Sequence, residues 1–185
     1  HWAPDSKNYR AGLAAKPQDS LAKMLLGMGS LSLGELAGER MKVALEANSP
    51  EDEQDCFSDN THNSHYFDGK GIDNIYFGRY QRIDGNTLTG PSLSDLVASK
   101  SPEQDAAMKL ALDKTETALK AMVAKAEDIK APEKFDQLIA PNNTAGKTMV
   151  NSAIQALVAQ TKELEKVAKV VGIEHLAPDS ADHPF

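Results

Sequence analysis

The chain has almost nothing with which to crosslink itself. One cysteine, Cys56, stands among 185 residues, so an internal disulfide is excluded and cysteine usage says nothing about compartment. Aromatic residues make up 5% of a chain that is 41% hydrophobic, so the core has to be built mainly from Leu, Val, Ile, Ala and Met, a mix that favours helices. No apolar run approaches the roughly 18 to 20 residues of a membrane span. The opening His1-Trp2-Ala3-Pro4-Asp5 lacks the basic and apolar regions of a secretion signal, so the expectation is a soluble, already processed chain. Positive charge is scarce as well: 20 basic residues face 27 acidic ones, a formal charge of −7, and nowhere do Lys and Arg gather with aromatics as a nucleic-acid surface requires. That argues against nucleic acid as a partner, and cations suit the chain better than phosphates.

What is present reads as an all-α, up-down helical bundle. Residues 1–17 hold prolines and no periodicity, predicting an extended lead-in; residues 18–185 form the bundle domain, with no internal repeat. A first long helix is expected from Asp19 or Ser20, either able to cap its free amides, to about Ala47. A second should start at Ser101-Pro102, where the proline's missing N–H costs nothing. Its apolar stripe is Met108, Leu112, Thr115, Leu119, Met122, Ala126 and Ile129. The third repeats the pattern with Val150, Ile154, Leu157, Thr161, Leu164, Ala168 and Val171, and Gly172 stands where a left-handed cap belongs. Two such stripes imply antiparallel partners, since each has to bury itself against another. Short helices are expected around Gly71–Tyr80, Ser92–Ser99 and Pro132–Ala140, the last carrying Phe135, Leu138 and Ile139, with a turn at Asp84-Gly85-Asn86.

Two stretches are candidates for chemistry. In the first helix Gly27, Gly34 and Gly38 fall on one face, either for tight packing of helices or as a shallow face that admits a ligand or second domain to the neighbouring charges. Those charges are Glu35 and Glu39, one α-helical turn apart, with Arg40 beside them. The second stretch runs from about residue 48 to 70 and reads as a long polar loop. It crowds Glu51, Asp52, Glu53, Asp55 and Asp59 with Ser58, Asn60, His62 and His65, and no Lys or Arg lies between Lys42 and Lys70. Carboxylates with imidazoles can ligate a hard cation or a transition metal, although a solvated acidic loop has the same composition. Cys56-Phe57 inside so polar a run predicts a loop that folds inward and anchors there.

Three blocks in order resemble the imelysin family: Gly34-Glu35-Leu36-Ala37-Gly38-Glu39-Arg40-Met41; Glu51-Asp52-Glu53 leading to Cys56-Phe57-Ser58-Asp59-Asn60-Thr61-His62; and Gly71-Ile72, Asn74 and Tyr76-Phe77-Gly78-Arg79-Tyr80. The likeness extends through Gly90-Pro91-Ser92-Leu93, Phe135-Asp136 and the last helix. It implies one half, the C-terminal one, of a fold of two helical bundles with a site at their interface, in the periplasm or outer membrane of a bacterium. The family's Gly-x-His-x-x-Glu motif is absent from this chain and belongs to the N-terminal half, so a separate or cleaved chain carrying that half is the implied partner, with membrane association through the envelope. Gln54-Asp55 departs from the His-Ser that the family places before the cysteine. Carried over onto matching positions, the resemblance implies a divalent metal (iron, zinc or calcium) near Glu39, Asp59 and His62, with Arg40, Glu35, Ser58 and Asn60 binding or orienting. Arg40 paired with Asp59 is the structural alternative. The implied functions are a metal-associated binding protein related to iron uptake, a metallopeptidase of the insulin-cleaving type whose histidine motif lies outside this chain, or a module that binds a polymer or another protein.

Overall fold

The computed structural model describes residues 9–178. Its chain order is α1 (Tyr9–Ala15), α2 (Pro17–Ser30), a π-helical segment (Leu31–Lys42), α3 (Val43–Ala47), a 3-10 turn (Pro50–Asp52), α4 (Thr61–Phe77), β1 (Arg79–Gln81), β2 (Thr87–Thr89), α5 (Leu93–Lys100), α6 (Pro102–Ala126), α7 (Phe135–Leu138) and α8 (Thr144–Val170). The all-α bundle is as expected, with one small hairpin added.

The two apolar stripes do what their spacing requires. Every named position of the α8 stripe is buried, as is every α6 position up to Ala126, while Ile129 lies past the end of α6 and is fully exposed. The C-terminal half of α6 (Leu119, Met122) shares one core cluster with the N-terminal half of α8 (Val150, Ile154, Leu157). At the other end Met108 and Leu112 meet Leu164 and Ala168, so the helices are antiparallel. Each fully buried Leu contributes about 2 kcal/mol by leaving water. Capping follows the sequence: Ser101 Oγ accepts from Gln104 N–H, Ser92 Oγ from Asp95 N–H at 2.9 Å, and Asn143 Oδ1 from Gly146 N–H at 2.8 Å. Gly172 takes φ +83° as expected.

Three expectations need correction. The described part of the lead-in is helical, not extended: α1 covers Tyr9–Ala15, and the chain breaks at Lys16 because the residue before a proline is pushed out of the helical region. Accordingly the first long helix opens at Pro17, ahead of Asp19 and Ser20, and Ser20 Oγ donates back to Leu13 O instead of capping. The polar loop is only half as long as its composition suggests. It ends at Asn60, and Thr61 to Phe77 is one helix that absorbs both histidines and the short helix expected at Gly71–Tyr80. Gly69 lies against α6, where a Cβ would sit 2.4 Å from Leu119 Cδ1, and that close approach carries α4 onto the bundle. Finally, Cys56 and Phe57 do not fold inward: both are exposed, Phe57 completely.

Candidate functional site

The charges of the first long helix depend on its unusual winding. From Leu31 to Lys42 the backbone closes i→i+5 turns, a form that in proteins is mostly confined to single turns. In that geometry residues five apart become neighbours. Arg40 Nη2 therefore donates to Glu35 Oε2 at 3.2 Å, a contact that an α-helix would not bring about. The expected α-helical pairing of Glu35 with Glu39 gives way accordingly. Glu39 is exposed, and neither a hydrogen bond nor an ion pair holds it among the described residues. Arg40 does not pair with Asp59. Of the three glycines, Gly34 and Gly38 are buried and Gly27 is exposed. The π segment is tied to α8 by Ser32, which donates to Leu157 O and accepts from Gln160 Nε2, all buried.

After α3 the chain turns at Asn48, in the left-handed region at φ +50°, where its side chain accepts from Lys147 Nζ. The loop that follows is organised onto the start of α4. Thr61 Oγ1 accepts from the Asp55 N–H at 3.0 Å, Ser64 Oγ donates to the Asp55 carboxylate, and Gln54 Nε2 donates to Asp68 Oδ2 at 3.2 Å. Asn60 precedes the helix and accepts from Asn63 Nδ2 at 2.9 Å. Asp59 sits at φ +52°, a strained place for a residue with a Cβ, and is exposed, as are Ser58 and Asn60.

Beneath this loop lies a group of buried polar atoms without hydrogen-bond partners: His62 Nδ1, both ring nitrogens of His65, Glu53 Oε2, Gln54 Oε1, Arg40 Nε and Asp136 Oδ1. Native interiors pair nearly all such atoms, so several at one place are unusual. His62 and His65 are one helical turn apart on α4 and both fully buried. His65 stacks edge-on against Phe135 of α7 at 4.8 Å, while His62 Nε2 faces Glu127 Oε1 at 3.8 Å across the end of α6. Electrostatics links the members. Burial, then the Arg40 guanidinium and then His62 hold the His65 imidazole down to about 3. Burial and Lys134 lower His62, with Glu127 and Asp59 opposing. Glu53 has its carboxyl raised by burial, against a hydrogen bond from Thr61, and Asp136, Asp59 and Asp55 push the same way as burial. The histidines are therefore neutral at pH 7, and Glu53 holds its proton more tightly than an ordinary carboxyl does.

Of the residues expected at a site, the structure brings His62 into this cluster, with Arg40 beside it and Asp59 within electrostatic reach. Glu35 enters only through its pair with Arg40, and Glu39, Ser58 and Asn60 face solvent. Sequence reasoning placed Glu53 and His65 in the candidate polar stretch without choosing them as site residues, and missed Gln54 and Asp136. The spacing of His62 and His65 was the available signal, masked by reading their segment as a loop. Asp136 arrives from a distant connection and carries no local signal. Neutral imidazoles and a carboxyl are the right donors for a divalent transition metal. Among the described residues, however, no three of His, Cys, Asp and Glu stand together closely enough to hold an ion. Phe57 and Ile129, both completely exposed, lie on the two segments that border the cluster.

The sequence model of the imelysin family, which carries the peptidase M75 designation, matches residues 1–164, and the chain belongs to that family. A search of curated proteins found no match.

Proposed function

We propose that this member of the imelysin family is a metal-associated binding protein of the bacterial cell envelope, related to iron uptake, whose site lies at the His62–His65 end of the bundle and is completed by a second protein surface. The observation that carries the reading is the set of buried, unpartnered atoms beneath the 48–60 loop. Each costs about 1 to 3 kcal/mol of desolvation with no partner in return, a cost that a ligand bound there would offset. His62 and His65 would offer ring nitrogens and Glu53 or Asp136 a carboxylate oxygen, with Asp59 and Glu39 on the solvent side, and since no three of these stand together the second surface would have to supply the remaining ligands. A bound divalent ion would supply the positive charge that lets Glu53 ionise. Phe57 and Ile129 are large apolar groups left in water around the site, as a surface made for a partner would leave them. The partner is the other half of the fold, carrying Gly-x-His-x-x-Glu. The envelope location rests on the family resemblance.

A metallopeptidase is the second reading, favoured by Glu53. A carboxyl raised by burial at the same end of the bundle as the neutral histidines has the tuning a general base requires, although the metal's water would then have to be placed by the partner's histidine.

The test is calorimetric titration of Zn2+, Fe2+ and Ca2+ onto the chain alone and onto its complex with a polypeptide carrying the family's histidine motif. Stoichiometric uptake by the complex is expected, weakened about tenfold or more in His62→Ala and His65→Ala. Uptake that is absent from the complex, or unchanged in both variants, would rule the reading out. Cleavage of an unstructured polypeptide by the loaded complex, lost in Glu53→Gln, would select the peptidase.

A further inference from the structure

We infer that His62 Nε2, Glu127 Oε1 and the side-chain oxygen of Asn63 form a site for one divalent transition-metal ion on the solvent side of His62, held by this chain alone. The inference rests on the metal reading above for the class of ligand and for His62. Its other donors are residues that reading does not use, so either can fail without the other.

Two helix ends bring the donors together. His62 and Asn63 lie in the first turn of α4, and Glu127 caps the C-terminus of α6. Glu127 Oε1 is 3.8 Å from His62 Nε2, and Asn63 Nδ2 is 3.0 Å from the first and 3.3 Å from the second. A triangle with those edges has one point in its plane about 2.0 Å from all three corners. That is the length of a bond from Zn2+ to an imidazole nitrogen or a carboxylate oxygen, about 2.0 to 2.2 Å. The three atoms thus stand at the spacing of neighbours in one coordination shell. Half a turn of the Asn63 amide puts Oδ1 where Nδ2 stands, which completes the set with an oxygen. Asn60 Oδ1, 2.9 Å from the same corner, offers a fourth ligand. Because part of the set is amide oxygen, the site does not require three of His, Cys, Asp and Glu to meet. Imidazole together with oxygen donors at this short radius suits a first-row transition ion, whereas Ca2+ takes oxygens at about 2.3 to 2.6 Å.

Asn63 does not satisfy the place it occupies. Its amide nitrogen carries two hydrogens and meets three acceptors, Asn60 Oδ1, Glu127 Oε1 and His62 Nε2, so one of them goes short however the hydrogens are shared. Since hydrogens face it, Nε2 carries the ring's lone pair, the form that ligates a metal. Burial, with only 1% of the side chain exposed, and Lys134 keep that imidazole neutral at pH 7. Of the charged groups that act on His62, Glu127 and Asp59 are acidic and Lys134 is basic. Glu127 is paired with no Lys or Arg among the described residues, and at 55% exposed it leaves the site open to an ion from solvent.

The test is calorimetric titration of Zn2+ onto the full chain with no partner present. One ion per chain is expected, bound about tenfold or more weakly in Glu127→Gln and in Asn63→Ala. Neither substitution opens the core, so circular dichroism should be unchanged in both. His65→Leu and Glu53→Gln alter the buried cluster alone, and should leave the affinity of the isolated chain as it was. In 15N NMR of the imidazoles the ion should appear on Nε2 of His62, with the proton on Nδ1. Absence of uptake by the isolated chain, uptake indifferent to Glu127→Gln, or a metal shift at Nδ1 would overturn the proposal. Uptake that needs His65 and Glu53 but not Glu127, or that occurs only in the complex with the other half, would overturn it and leave the earlier reading standing. Uptake that needs Glu127 and Asn63 equally with and without that half would support this site without the buried cluster.

Discussion

The two ends of the bundle treat their buried polar groups in opposite ways. At the end built around Met108, Tyr76 and Leu164, the buried carboxylate of Asp105 accepts from Tyr76 Oη at 2.9 Å and Ser94 Oγ at 2.8 Å, and pairs with Lys109 Nζ at 2.6 Å. Burial alone would raise that carboxyl, yet the hydrogen bonds from Lys109, Ser94 and Tyr76 hold it below the usual range. One acid thus pins α4, α5 and α6 together. At the end built around Leu119, Phe135 and Ile154, the buried histidines, Glu53 and Asp136 are left with free atoms. The same helices thus carry a polar group for stability at one end and polar groups that cost stability at the other. A cost of that kind persists where something other than folding depends on it.

Disturbing the closed end should have the largest effect. Asp105→Ala strands the Tyr76 and Ser94 hydroxyls in the core, and should lower the free energy of unfolding by about 3 kcal/mol in urea titration. A loss below about 1 kcal/mol would erase the contrast between the ends.

Next in size is acid sensitivity at the open end. His65 is held at about 3 in the fold against 6.5 when unfolded, so between those values the unfolded chain binds a proton that the folded chain refuses. Its contribution is intact above pH 6.5 and is lost as pH falls, by about 1.4 kcal/mol per pH unit. Glu53 acts in the opposite sense: its raised carboxyl stabilises the fold below 4.5, and that contribution is lost as pH rises through the raised value. Melting of the metal-free chain between pH 7 and 5 should therefore show a falling Tm. His65→Leu should flatten that fall and leave stability at pH 7 within about 1 kcal/mol of the unmodified chain, because an apolar group replaces an unpartnered one. A slope that survives in His65→Leu would transfer the acid sensitivity to other groups.

Smaller still is the Glu35–Arg40 pair, whose side chains are 46% and 37% exposed. Arg40→Ala should cost under about 1 kcal/mol by denaturant titration. It should also raise the His65 pKa, since the guanidinium is one of the groups holding it down, and that is readable by NMR titration of the ring. Phe57→Ser and Ile129→Ser should change stability by less than about 0.5 kcal/mol, as both side chains are already in water. A clear loss in either would mean that these residues pack against the chain itself.

Much of the bundle was legible because its signals are local and periodic. The α6 stripe up to Ala126, the α8 stripe, Ser101-Pro102 and Gly172 each specify structure within a few residues of themselves, and were found where expected. Two misreadings came from composition used as a guide to conformation. Residues 61–70 looked like a loop because Asn63, Ser64, His65 and Asp68 are polar, yet burial against α6 and α7 outweighs their weak helix propensity. Cys56-Phe57 looked like an anchor because both are apolar, yet the hydrogen bonds of Asp55 to Thr61 and Ser64 secure the loop without them.

The amino-acid sequence by itself determined the family, the all-helical class and the pairing of α6 with α8, since each follows from residues near one another in the chain. Tertiary structure alone decided the rest. The π winding that joins Glu35 to Arg40 emerges only where the helix is packed against α8 through Ser32. Phe135 reaches the His65 ring and Asp136 comes within electrostatic reach of Glu53 only because α7 folds under the start of α4. Glu127 reaches His62 and Asn63 only once the end of α6 lies beside the start of α4. Burial and unmet hydrogen bonds belong to the space between elements, and no local pattern of residues encodes that space.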